Sequence, residues 1–431
     1  MNTSLERARD SLSALRRDSR TPILVVVAGG WFLSFGVRLV YPALVPHLRT
    51  AYGISLSTVG LLLTVLWLVY ALGQLPSGAL SDRLGERRVL VVSTFVSGVT
   101  LGLVVVAGTV ELLFVGTALF GLSTALYGVG RFTVLSKVYP DNDGLAIGVT
   151  MAAGDLGNAV LPPIAGFLAV TFVWQVGFAI AIPAFLVAAV GIAIAVPEEP
   201  GGRSATTDPS NRDPSRADPN DPSRADPTDD RSRLARATAT ARTVGGAFRS
   251  RPVLVVALVQ TLGYCTWQAF TGFYPTYLID VKGFAPTTAT VLFGGFFAMG
   301  ALVKPLSGRA YDSYGVRPTL PVILFVAAGA LAALPFADSA SAVLAVTLFL
   351  SVFLGYSTVT LTYLTAALPT GVQGSGLGAL RTGYMVIGAA SPVVAGTIAE
   401  AGFFDEGFFL LAGLVLLASV CCLLLPRAST A

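Results

Sequence analysis

The chain has 431 residues, of which 54% are hydrophobic and 12% are charged, and its formal net charge is +4. Soluble domains contain about 25% charged residues, so this composition excludes a soluble globular protein and indicates a protein of the lipid bilayer. The small positive charge is explained by loops beside the membrane, so we expect no nucleic-acid partner.

Apolar stretches recur along the chain at the length that crosses a bilayer. About 20 helical residues span roughly 30 Å of hydrocarbon, and a helix satisfies its own backbone polar groups there. We predict twelve such helices, called spans 1 to 12 in chain order. Their predicted ranges are 22–46, 57–77, 88–108, 111–136, 145–170, 174–196, 252–278, 287–307, 317–337, 341–367, 376–400 and 407–426.

The first six and the last six spans are copies of one unit, related by a constant offset in residue number. Identical residues recur at this offset in the pairs Pro22 and Pro252, Gly53 and Gly283, Gly144 and Gly374, Gly148 and Gly378, Pro162 and Pro392, and Gly166 and Gly396. We therefore predict an all-α membrane protein of two pseudo-symmetric six-helix bundles, at 22–196 and 251–426. Repeat transporters bind their substrate between the repeats near the bilayer midplane, so the site is expected at that seam.

The two bundles are joined by a polar linker over residues 197–250. A tandem repeat rich in Asp, Pro, Ser and Arg fills residues 213–227. Such a composition cannot bury a core, so we expect a disordered, solvated tether, and a regulatory role stays open. Short tails at residues 1–21 and 427–431 complete the chain.

Basic residues beside the spans predict the orientation, because Lys and Arg are retained on the cytoplasmic side. The tail, the linker, residues 78–88, Lys137 and Arg317 fall on one side of twelve spans, whereas the opposite loops hold Arg49 and Lys282. We expect both termini and the linker to be cytoplasmic in a plasma-membrane protein. The first span should remain as an anchor, since no apolar stretch precedes it.

A charged turn lies between spans 2 and 3, and a partial copy lies between spans 8 and 9. Its key residues are Gly78, Asp82, Arg83, Gly85, Arg87 and Arg88, and the second copy keeps Gly308, Asp312, Gly315 and Arg317. Duplicated in a twelve-span repeat, this pattern resembles the signature of the major facilitator superfamily. The resemblance covers the chain apart from the tail and linker.

The resemblance implies alternating access, in which the charged turn stabilises the outward-facing state and controls switching. Asp82 would then be a conformational latch, facing an arginine or the positive end of a helix. A turn that only fixes topology is the alternative. In span 5, Gly157, Pro162 and Gly166 resemble an antiporter pattern, but Leu161 and Ala165 replace its glycines, so a packing seam is an equal interpretation.

Ionisable residues inside spans are costly, so each marks a pathway, a relay or an ion pair. Asp155 in span 5 is expected to carry a coupling proton, or to be a counter-ion for Arg38 or Arg381. Arg131 is expected in the cavity, or paired with Asp82 at a helix end. Lys304 is expected to extend to the cytoplasmic interface.

Polar and aromatic side chains share faces of the spans that line the cavity in this family, which are spans 1, 4, 7 and 10. The spacing i, i+4, i+7 brings such residues to one helix face. The substrate-binding candidates on these spans are Trp31, Phe35, Arg38, Tyr127, Arg131, Tyr264, Trp267, Gln268, Tyr356 and Tyr363. Arg381 and Tyr384, which share a face of span 11, are also candidates. The excess of cations favours an anionic substrate such as a carboxylate.

We therefore expect a secondary transporter of a small organic solute, monomeric and coupled to a proton or a counter-solute. Drug or metabolite efflux is the alternative, and a membrane sensor without flux is a further one. No nucleotide-binding loop or nucleophile and base pair is present, and His47 is expected in an outer loop, so we expect no enzyme. The three cysteines have no metal-ligand spacing, so no cofactor or metal is expected.

Overall fold

The structure is a computed structural model that describes residues 20–140, 142–198, 250–368 and 373–425. The tails, residues 199–249 of the linker, and the side chains of residues 79, 82, 129 and 373–375 lie outside this description. The expectations for the linker, for both tails and for the Asp82 side chain therefore stay predictions. The described backbone is helical, and twelve of its helices are long and apolar enough to cross a membrane, which confirms the predicted spans.

The helix bounds extend several of the predicted spans at their ends. Spans 1 to 6 are Thr21–Tyr52, Leu56–Leu84, Glu86–Val105, Val110–Val138, Asp143–Thr171, and the pair Trp174–Ala179 and Ala181–Ala195. Spans 7 to 9 are Arg251–Asp280, Pro286–Tyr314, and Val316–Ala333 with a 3₁₀ turn at Leu334–Phe336. Spans 10 to 12 are Ala340–Leu350 with Ser351–Gly355 and Tyr356–Ala367, then Gln373–Ala389 with Ser391–Glu400, then Phe404–Cys421 with Cys422–Leu424.

The backbone repeats at the offset seen in the sequence. Every span of the second half begins at the position equivalent to the start of its counterpart, from Thr21 and Arg251 through Trp174 and Phe404. Left-handed turns recur at equivalent positions, with φ of 63° at Gly53 and 69° at Gly283. Glycine is favoured there because a side chain is strained at positive φ. The structure is therefore two copies of one six-helix bundle.

In the described part of the chain, the most extensive helix contacts between the two bundles are those of span 1 with 7, span 2 with 11, and span 5 with 8. The face at which spans 1, 3 and 5 begin is called here the linker face, and the other is the opposite face. Near the opposite face, glycines allow close approach, because a β-carbon at Gly166 would overlap Thr290 and one at Gly396 would overlap the carbonyl of Leu56. The seam is thus tightly packed on that side.

Polar contacts reinforce the seam near the opposite face. Arg49 Nη1 lies 2.5 Å from Asp280 Oδ2, and the Ser57 amide donates to Glu400 Oε2 at 3.0 Å. His47 differs from its prediction: it lies in the last turns of span 1 and not in a loop, because the helix continues to Tyr52. The central cavity is therefore closed toward the opposite face.

Candidate functional site

A cavity of about 170 Å³ lies at the seam, in the middle of the bundle. Nine of the predicted site residues line it: Trp31, Phe35, Arg38, Asp155, Tyr264, Trp267, Tyr356, Arg381 and Tyr384. Its walls come from spans 1, 2, 5, 7, 8, 10 and 11. Both halves therefore contribute cations and aromatic rings to one cavity.

Four other candidates do not line this cavity. The hydroxyl of Tyr127 donates to the Val27 carbonyl at 2.7 Å, so span 4 packs behind span 1. Gln268 is buried, and its Nε2 donates to the Tyr264 hydroxyl at 3.4 Å. Tyr363 is half-buried and lies nearer the linker face along span 10. The fourth of these candidates is Arg131, which is described below.

Arg38 is fully buried in a cage of aromatic rings. Its guanidinium carbon lies 3.8 Å from the ring centre of Tyr70 and 5.1 Å from that of Trp67, both in span 2. Nε donates to the Ser34 carbonyl at 2.9 Å, whereas Nη1 and Nη2 have no hydrogen-bond partner among the described residues. The rings attract the cation through their π faces, but they accept no hydrogen bond from its two terminal nitrogens, whose donor capacity is left unused by the described residues.

Arg131 lies behind the cavity wall and is also fully buried. Its guanidinium carbon is 3.4 Å from the ring centre of Trp31, and Nη1 donates to the Gly128 carbonyl at 2.6 Å. Trp31 therefore separates Arg131 from the cavity. Its guanidinium packs against a ring that lines the cavity.

Asp155 forms an ion pair that the sequence did not predict. Lys304 Nζ lies 2.7 Å and 2.6 Å from its two carboxylate oxygens, and both residues line the cavity. The partner of Asp155 is thus Lys304, and neither Arg38 nor Arg381 is its hydrogen-bond partner. The expectation that Lys304 extends to the interface is also wrong, because the seam brings spans 5 and 8 together at this level.

Further polar groups in the cavity wall lack partners within the described part of the chain. Asn158 is fully buried, and neither polar atom of its amide is hydrogen-bonded. Nε of Arg381 and Nε1 of Trp31 are likewise buried without a hydrogen-bond partner. Buried polar groups are nearly always paired, so unpartnered ones facing a cavity are expected to meet water or a ligand. Sequence reasoning missed Asn158 as a site residue, although it lies one turn from Asp155.

Aromatic side chains are positioned by close helix packing. The Tyr264 ring stacks on Trp267 at 5.8 Å between centres, and Trp267 meets Trp67 edge to face at 5.6 Å. A β-carbon at Gly154 would overlap the Trp31 ring, and one at Gly388 would overlap the Tyr264 ring. The glycines therefore make room for rings that form the wall. Trp67 was missed because span 2 has no charged residue between Leu56 and Gly78 to draw attention to it.

The charged turn between spans 2 and 3 lies at the linker face, away from the cavity. Gly85 has φ of 84°, and its amide donates to the Ser81 carbonyl at 2.9 Å. Arg88 Nη2 lies 2.9 Å from Glu198 Oε1, and Arg87 bonds both Glu198 and the Ala193 carbonyl. The hydrogen bond and charge of Arg88, with the charge of Arg87, lower the pKa of the Glu198 carboxyl. The turn is thus tied to the end of span 6.

The second copy of the turn has fewer contacts. Gly315 repeats the positive φ of Gly85, with a value of 78°, and its amide donates to the Tyr311 carbonyl at 2.7 Å. Asp312 is exposed. Within the described residues, no cluster of three or more His, Cys, Asp or Glu side chains could hold a metal.

Nearly the whole chain matches one family model. Two segments, residues 26–367 and 256–431, match the model described as Major Facilitator Superfamily. The chain belongs to this superfamily. Together with the twelve spans, this makes it a multi-pass membrane protein of a family of solute transporters, and neither the family nor the fold points to an enzyme.

Two named relatives resemble the chain over most of its length. It is 27% identical over 412 residues to a probable sulfoacetate transporter, SauU, of Cupriavidus necator, covering 92% of this chain and 91% of the relative. It is 26% identical over 424 residues to the multidrug efflux pump LfrA of Mycolicibacterium smegmatis, covering 91% and 82%. A shorter match of 161 residues, 27% identical, covers 37% of this chain and 38% of the hexuronate transporter of Bacillus subtilis.

Solved structures of the superfamily share the fold. A bacterial homologue of the human lysosomal transporter Spinster, in an inward-facing and occupied conformation, superposes with a TM-score of 0.74 at 13% identity, covering 94% of this chain and 96% of the other. A D-xylose-proton symporter gives a TM-score of 0.74 at 15% identity, covering 96% and 99%. These similarities concern architecture.

Proposed function

We propose that the protein is a secondary active transporter that carries a small organic anion by alternating access. The observation that carries this proposal is Arg38, a fully buried guanidinium whose two terminal nitrogens have no partner among the described residues. A charge removed from water is costly unless it is paired, and a carboxylate or sulfonate would provide that pairing.

The balance of charge in the cavity wall supports an anionic ligand. Arg38, Arg381 and Lys304 are set against one acid, Asp155, so the described lining has an excess of two positive charges. The unpartnered amide of Asn158 offers a further donor. Relatives named for sulfoacetate and hexuronate transport agree in ligand class, because both solutes carry an acid group.

We propose that transport is coupled to a proton or to a counter-solute, with Asp155 as the proton carrier in the first case. Asp155 is the one carboxylate in the described cavity lining, and an ionisable side chain inside a span is costly unless it serves a pathway, a relay or an ion pair. Drug efflux is the second candidate, since LfrA is a multidrug efflux pump and the cavity is rich in aromatic rings.

We infer that the linker face is cytoplasmic, that the protein is a monomer in the plasma membrane, and that this conformation faces inward. The excess of bases on the linker face and the tight seam near the opposite face support this orientation and state. In this proposal the charged turns latch the outward-facing state, and the exposed Asp312 is consistent with an open latch.

Flux into proteoliposomes tests the proposal. Uptake or exchange of radiolabelled sulfoacetate or of short-chain carboxylates should exceed that of empty liposomes, and a pH gradient should alter its rate if protons are coupled. Neutral sugars and cationic drugs serve as comparison solutes. Binding without flux would indicate a sensor, flux of cationic drugs alone would indicate efflux, and indifference to all acids would refute the anion proposal.

A further inference from the structure

The ion pair of Asp155 and Lys304 lies at an unusual place, since it joins the two halves and also forms part of the cavity wall. The ammonium lies within 2.7 Å of both carboxylate oxygens. The side chain of Asp155 is 18% exposed and that of Lys304 is 28% exposed, so both ions are partly removed from water. Such a pair gains little net stability, because desolvation offsets the attraction.

The repeat provides an internal comparison for this contact. At the offset that relates the two halves, Lys304 corresponds to Gln74 and Asp155 corresponds to Met385. These counterparts also meet across the seam, where Gln74 Nε2 donates to Met385 Sδ at 3.4 Å. The same helix packing is therefore achieved without ions on the other side of the pseudo-twofold axis. The charges of Asp155 and Lys304 need a reason other than packing.

We propose that Lys304 is an anion-binding residue, and that the Asp155 carboxylate occupies its anion-binding position in the absence of ligand. The acid group of the transported anion displaces that carboxylate from the ammonium. This inference rests on the proposed anion transport. It further identifies Lys304 as the residue of the second half that binds the acid group of the transported anion. A ligand carboxylate or sulfonate presents the oxygens that Lys304 already binds, so one charge-assisted hydrogen bond replaces another.

The displaced carboxylate has a neighbour that could receive it. Asn158 lies three residues after Asp155, on the same side of span 5, and its buried amide has no partner among the described residues. Displacement would also remove the charged link between spans 5 and 8. Ligand binding would thereby loosen one of the main helix contacts between the halves.

Binding affinities of single and double variants test this competition. If Asp155 competes with the ligand, Asp155→Asn should tighten binding of sulfoacetate, or of the tightest-binding member of a carboxylate panel. Lys304→Gln should weaken it. Each change should be about tenfold, because a charge-assisted hydrogen bond to the ligand is stronger than the neutral one that glutamine makes. In the Lys304→Gln background, Asp155→Asn should have no effect, because the competition acts through Lys304.

Isothermal titration on purified protein gives these affinities, with Gln74→Leu as the matched control at the repeat position, which should leave affinity unchanged. Asp155→Ser replaces Asp155→Asn if the latter does not fold. Weaker binding in both single variants would overturn the inference and assign the pair to structure. Equal effects of Asp155→Asn with and without Lys304 would overturn it as well. If the wild type binds no acid of the panel, the proposed anion transport fails instead.

Discussion

Replacing Arg38 by methionine should separate ligand binding from stability. Arg38 has no carboxylate partner in the described structure; its Nε donates to the Ser34 carbonyl, and its guanidinium is stacked among aromatic rings. Methionine keeps the unbranched shape and fills the same space without a charge. No oppositely charged group is left unpaired by this change, unlike the usual disruption of a buried ion pair.

The size of the effect follows from the two unpartnered nitrogens. Each hydrogen bond from a charged donor to a ligand is worth about 1.5–3 kcal/mol, so losing one weakens binding roughly 10- to 100-fold. The stability of the protein, in contrast, should increase or stay unchanged. Loss of the aromatic contacts costs about 2 kcal/mol or more for a desolvated cation, whereas removing an unpaired buried charge recovers several kcal/mol of desolvation.

Ligand titration and thermal unfolding of the same preparations measure both quantities. Arg38→Met should bind sulfoacetate or the best carboxylate at least tenfold more weakly, with an unchanged or higher melting temperature. Arg251→Gln, at the exposed start of span 7, removes one positive charge elsewhere and should bind as the wild type does. Undiminished affinity in Arg38→Met, or a large loss of melting temperature, would refute the assignment of Arg38.

Two further changes probe the wall and the seam. Gly388→Ala should displace the Tyr264 ring, destabilise the protein by about 1–3 kcal/mol and weaken ligand binding. An unchanged melting temperature and affinity would contradict this. Gly383→Ala is the control, because a β-carbon there has open space around it. Arg49→Ala should remove the half-exposed pair with Asp280 and raise the population open at the opposite face up to about fivefold. Distances between spin labels across that face measure it, and no shift at low salt would count against a role in closure.

The spans and the repeat were predictable because the bilayer imposes strong constraints. A hydrocarbon core demands long apolar helices, so the spans appear directly in the hydrophobic pattern. The repeat appears in glycines such as Gly53 and Gly283, whose left-handed backbone no other residue adopts as easily. Helix ends were less predictable, since span 1 continues past Pro46 to Tyr52.

The site was only partly predictable, because helical spacing gives the face of a residue but not the neighbour of that face. Spacing assigns Arg38 and Trp31 to one face, and the structure places both in the cavity wall. Nothing in the spacing indicates that span 2 supplies Tyr70 to Arg38, or that span 5 meets span 8. Pairing across the seam depends on tertiary packing, so the partner of Asp155 was missed.

The repeat nevertheless contained a signal for the charged site. Duplication makes the two halves alike at positions where packing alone determines the residue type. A charged residue with a neutral counterpart therefore marks a position where the halves have different roles. All four charged residues of the cavity wall have neutral counterparts at the equivalent position of the other half: Arg38 with Gln268, Asp155 with Met385, Lys304 with Gln74, and Arg381 with Met151. Because an ion in a span is costly, a one-sided charge of this kind is by default a candidate for a functional role. The broken symmetry therefore singles out Lys304, which spacing and hydropathy alone assign to the interface.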